Sequence, residues 1–106
     1  MSNRGDVKPK YAVGIDLGTT NCAVSFLSLD SPEPVTAVPP SVFAIPQLVQ
    51  PGQVEPKPLL PSFLYLPHEA EFPKGALKLP WDEGRDFVVG ELARNHGALV
   101  PVRLVS

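Results

Sequence analysis

At 106 residues the chain has room for little more than one small domain. Its net charge of -2 offers no basic surplus for nucleic acid or an acidic membrane, so any phosphate ligand has to be held by local geometry. One cysteine, no Cys/His set at ligand spacing, no apolar run long enough to span a bilayer and a polar start argue against a disulfide framework, a zinc site, a membrane span and export. A cytoplasmic location is the expectation.

Two apolar runs open the chain, Tyr11 to Asp16 and Cys22 to Leu29, both of strand length. Between them Leu17-Gly18-Thr19-Thr20-Asn21 carries Gly and Asn, residues that tolerate the positive φ of tight turns, so the pair reads as a β-hairpin. Asp30 to Pro34 is a turn cluster. Nine of the 14 prolines fall between Pro32 and Pro61, which rules out helix there and predicts extended segments, turns and an irregular connector. Val42 to Val49, interrupted by Pro46, reads as one edge strand.

Pro51-Gly52 marks a turn, Ser62 to Leu66 a further strand, and His68 to Asp86 a loop. Phe87 to Val89 is a short strand. Gly90 to His96 follows as about two turns of helix, acid first and base last, with Gly97 as its stop. Leu99 to Val105 is apolar and ends without a cap, as in a fragment. The organisation expected is a β-rich unit over residues 1–60 and an unfinished α+β unit over 61–106.

The residues that carry chemistry are Gly14-Ile15-Asp16-Leu17-Gly18-Thr19-Thr20-Asn21. Backbone N–H groups packed into a tight turn bind phosphate oxygens without net positive charge, and glycine allows close approach. Asp16 is the candidate ligand for Mg²⁺, directly or through water, because that ion is usually held by one or two carboxylates and keeps several waters. Thr19 and Thr20 would offer hydroxyls to the phosphates or orient an attacking water. The string is neither a Walker loop, which needs Gly-Lys-Ser/Thr, nor a dinucleotide fingerprint. His68 and His96 lack partner spacing, Cys22 reads as a small buried apolar residue, and Trp81 as a loop aromatic covering its own domain.

The eight-residue string resembles the first phosphate motif of the sugar kinase, chaperone and actin superfamily, and its wording is most similar to the DnaK-type chaperones of the heat shock protein 70 family. Leu60-Pro61-Ser62-Phe63-Leu64-Tyr65 resembles that family's Thr-Pro-Ser strand start. Val89-Gly90-Glu91-Leu92-Ala93-Arg94 resembles its Val-Gly-x-x-Ala-Lys strand-to-helix segment. The resemblance implies an α/β, actin-like (ribonuclease H-like) ATPase fold, partial here: the hairpin and an edge strand, then the start of a smaller α+β subdomain.

It also implies ATP and Mg²⁺ as cofactors, with Gly18, Thr19, Thr20 and Asn21 lining the phosphates and Asp16 beside the metal, and Asp16 and Thr19 as the catalytic candidates. ATP or ADP would be the ligand, with unfolded peptide clients and co-chaperones as partners of the parent protein. The family's catalytic lysine would fall past Ser106, so the polypeptide by itself is expected to turn over little or no ATP. The proline-rich Pro32 to Leu60 departs from the family's short connection. A sugar-kinase-like ATPase of the same superfold and a non-catalytic, proline-rich interaction module are the alternative readings.

Overall fold

The computed structural model describes residues 8–30 and 38–106. Strand β1 (Tyr11–Leu17) turns back into β2 (Asn21–Ser28), pairing antiparallel from Tyr11 with Ser28 to Leu17 with Cys22. β3 (Ser41–Phe43) and β6 (Leu60–Pro61) both add to β2, completing a four-stranded sheet. β4 (Ile45–Gln50) and β5 (Gln53–Lys57) form a hairpin of their own around Pro51-Gly52. β7 (Leu64–Tyr65) lies between β8 (Val88–Val89) and β9 (Leu104–Val105). The only described helix, α1 (Glu91–Gly97), follows β8 directly, and a 3-10 turn at Pro101–Arg103 leads into β9.

This architecture corrects the actin-like α/β expectation. Every ladder among the described residues is antiparallel, and the single helix is seven residues long. A parallel α/β sheet needs crossovers of a dozen or more residues, usually helical, between neighbouring strands. Here proline and turn pairs close the strands locally instead, and no described segment makes such a crossover. The predicted strand Val42 to Val49 is also divided. Its first part joins β2 as β3, and the rest joins β5 as β4 in a separate ladder where Pro46 faces Pro56. Both of those strands are edges, where a missing amide is tolerated. The turn cluster expected at Asp30 to Pro34 lies largely outside the described residues. No described helix is long and apolar enough to cross a membrane.

Leu48, Tyr65, Leu77, Leu79, Val88, Leu92 and Ala93 form the buried core, with Val54, Phe63, Phe72, Val100 and Leu104 packed around it. Helix α1 turns Leu92, Ala93 and Gly97 inward while Arg94 and Asn95 stay in water, the stripe expected of a surface helix. The 68–86 segment is mostly loop, with a single bridge between Leu79 and Asp82. It still sends Leu77 and Leu79 into the core. Gln47 is the one buried polar residue of the described part, 2 % exposed. Its Nε2 donates to the Leu59 carbonyl at 2.9 Å, and its Oε1 accepts from the Glu91 N–H at 2.9 Å. That side chain therefore serves an otherwise orphaned amide at the start of α1. Gly90 sits at φ 91 just before the helix, and a Cβ there would lie 2.7 Å from Gln47 Oε1 and 2.6 Å from Leu60 Cδ1.

Candidate phosphate-binding turn

The turn between β1 and β2 holds the residues expected to bind phosphate. Gly18 donates its N–H to the Asn21 carbonyl at 3.0 Å. In a closed two-residue hairpin Asn21 would return the bond to Gly18. Here the Gly18 carbonyl accepts from the Ser62 hydroxyl at 2.7 Å instead, and the Thr20 carbonyl accepts the Ser62 N–H at 2.9 Å. Among the described residues no acceptor takes the N–H of Thr19 or Thr20, and both residues are exposed. The turn thus spends its carbonyls on the protein and leaves two consecutive amides without an acceptor among the described residues, a set of donors that an anionic oxygen could use.

Glycine is required at position 18 for a reason other than the one expected. No described non-glycine residue has positive φ, and Gly18 is not among the left-handed glycines. The constraint is steric: a Cβ on Gly18 would lie 2.4 Å from the Asn21 carbonyl oxygen, a backbone atom that cannot swing away. Asp16 stands opposite Ala23 on the same sheet face as Gly14 and Ser25. It is exposed and borders a shallow depression with Gly14, Ala23, Ser25 and Val42. No set of three or more His, Cys, Asp or Glu among the described residues is arranged to hold a metal. A hydrated Mg²⁺ carried by a phosphate chain needs only one or two carboxylates from the protein, and Asp16 could be one of them.

Ser62 escaped the sequence reading as a site residue, although its segment was singled out. β6 pairs with β2 through Asn21–Pro61 and Cys22–Leu60, which delivers Ser62 under the turn. Half-buried Cys22 completes the contact, its Sγ 3.5 Å from Ser62 Oγ. The Phe63 carbonyl then accepts the Gly90 N–H at 3.1 Å, so residues 14–21, the Pro61-Ser62 segment and the Val89-Gly90 segment form one connected strip. Replacing Ser62 with Ala should free the Gly18 carbonyl and cost about 1 kcal/mol in stability, since one part-buried hydrogen bond is lost. Chemical denaturation checks the cost, and Ser62→Thr should recover most of it.

A second polar cluster has no counterpart in the sequence reading. Glu71 accepts from the Tyr65 hydroxyl at 2.5 Å and from the His68 N–H at 2.9 Å, and it pairs with His96 Nε2. His96 is wedged edge-on to Tyr65, with ring centroids 5.1 Å apart, and tilted against Phe72 at 4.8 Å. The Tyr65 hydrogen bond, helped by the His68 amide and His96, holds the Glu71 carboxyl down at about 2 against the opposing effect of burial. Burial first and Glu71 second push the Tyr65 hydroxyl up to about 12. No hydrogen bond among the described residues joins this cluster to the turn. Trp81, expected to cover its own domain, stays 61 % exposed at the rim of a small pocket with Ile45, Leu60 and Phe87.

Compared with protein-family models, with curated proteins and with solved structures, the chain matches none.

Proposed function

We propose that the Gly18–Asn21 turn binds the phosphate chain of ATP, with Asp16 beside the accompanying magnesium, and that the chain supplies this element to an ATP-dependent molecular chaperone. The reading stands on the turn and on the wording of its sequence, independently of the actin-like fold. One observation carries it: among the described residues no acceptor takes the amides of exposed Thr19 and Thr20, while Ser62 ties down the Gly18 and Thr20 carbonyls. The chaperone branch draws support from the three segments that resemble it, residues 14–21, 60–65 and 89–94, which are contiguous in the fold.

When bound, the magnesium supplies charge neutralisation to the phosphate oxygens. The chain's own residues do the positioning. Gly18 lets the backbone double back, Thr19 and Thr20 present N–H and hydroxyl donors, and Asn21 closes the turn through its carbonyl. No arginine or lysine hydrogen bond reaches this turn among the described residues, so oriented dipoles have to do the work of charge. The element is accordingly one of binding, and affinity rather than turnover is its readout. Calorimetric titration of the chain with MgATP should give a saturable heat that Thr19→Pro, which removes one of the two free amides, abolishes. Equal heats for both proteins would count against the proposal.

A further inference from the structure

Strand β1 is the open edge of the four-stranded sheet: β2 takes one side, and among the described residues no strand takes the other. Two hydrogen bonds establish which residues face outward. The Leu29 N–H donates to the Lys10 carbonyl at 2.8 Å and the Gly18 N–H to the Asn21 carbonyl at 3.0 Å. Even-numbered residues from Lys10 to Gly18 therefore direct their backbone groups at β2. By alternation Tyr11, Val13, Ile15 and Leu17 aim N–H and C=O at the open edge. The same four side chains are between 58 % and 80 % exposed.

Natural sheets guard such an edge with proline, lysine, a bulge or brevity. β1 has none of these over its seven residues: its register with β2 is unbroken, and its single charge is Asp16. The sequence of the strand is instead self-complementary. Antiparallel pairing with a second copy about a two-fold axis through Gly14 sets Tyr11 opposite the partner's Leu17 and Val13 opposite the partner's Ile15, apolar against apolar. Every outward N–H and C=O of those four residues then meets a partner. On the other face Asp16 falls opposite the partner's Ala12, one diagonal step from the partner's Lys10, within reach of a long side chain. The two-fold axis makes that ion pair twice and brings no like charges together.

We infer that the chain forms a homodimer through antiparallel pairing of β1 with β1 of a second copy, in the register centred on Gly14, with Asp16 and Lys10 joined across the interface. The inference rests on the strand alone and holds whether or not the turn binds nucleotide.

Sedimentation velocity of the chain without nucleotide, over a range of concentrations, should show a species of twice the 11.4 kDa chain mass that dissociates on dilution. Val13→Pro should be monomeric with an intact β1–β2 hairpin, because it removes only an outward amide. Should that variant fail to fold, a charge exchange decides: Lys10→Asp and Asp16→Lys should each weaken the dimer, and the two combined should restore it. A wild-type monomer throughout the range, a folded Val13→Pro that still dimerises, or a double exchange as weak as the single ones would each overturn the inference.

Discussion

Gly18→Ala should remove nucleotide binding and cost about 1–3 kcal/mol in stability, the range for forcing atoms into a filled site. The added methyl would sit 2.4 Å from the Asn21 carbonyl oxygen, and relief requires the turn itself to open. Opening it moves the Gly18 carbonyl off the Ser62 hydroxyl and re-aims the Thr19 and Thr20 amides, so binding and stability fail together. A loss of that size alone corresponds to a weakening of about fivefold to a hundredfold if it falls on the bound geometry. Gly84→Ala is the matched control, since a Cβ there meets nothing within 4 Å. Its melting temperature and MgATP affinity should stay close to those of the unmodified chain.

The second large effect is in the other half of the fold and concerns acid. Glu71 has its carboxyl lowered from 4.5 to about 2, chiefly by the Tyr65 hydroxyl. A carboxyl depressed on folding stabilises the folded state fully above its unfolded value and loses that contribution as the pH falls through the folded one. Stability should therefore decline as the pH is lowered from about 4.5 toward 2. Glu71→Gln should flatten this part of the profile. At neutral pH Glu71→Ala should cost on the order of 1–3 kcal/mol, because the hydroxyl of fully buried Tyr65 loses its acceptor. Denaturant melts at a series of pH values measure both effects. An unchanged acid slope in Glu71→Gln would mean that the carboxylate is not what Tyr65 and His96 hold in place.

The two regions differ in how much of them can be read from the chain. The β1–β2 hairpin was legible because apolar runs flank a Gly-Thr-Thr-Asn turn, and α1 because of its acid-first, base-last pattern, although Gly97, read as its stop, lies inside the helix, where a Cβ would meet Leu104 at 2.5 Å. The overall class was misread. The resemblance of three short segments to an α/β ATPase said nothing about how strands pair, and pairing depends on partners far apart in sequence. Leu60-Pro61, for example, joins β2 some forty residues earlier by making a ladder that no local pattern announces. Val42 to Val49 looked like one strand because its apolar run hides a change of sheet between Phe43 and Ile45.

The candidate site was legible in identity and not in construction. Asp16, Gly18, Thr19, Thr20 and Asn21 were named from the string, and the structure keeps the last four in one turn with Asp16 on the adjoining strand. Ser62, which fixes two of the turn's carbonyls, was invisible as a site residue because its role depends on β6 crossing to β2. Glycine at 18 was expected for its backbone freedom, whereas what it supplies is the absence of a Cβ. The Tyr65, Glu71 and His96 cluster had no sequence signal at all, since an ordinary loop separates its members.

The decisive property of the turn is whether an anionic ligand touches the chain there. Amide chemical shifts of the ¹⁵N-labelled protein, followed during titration with MgATP, report this residue by residue. Saturable shifts concentrated on Gly18, Thr19, Thr20 and Asn21, with Ser62 moving alongside them, are the predicted result. Shifts that spare these amides, or that gather instead around Glu71 and His96, would contradict it.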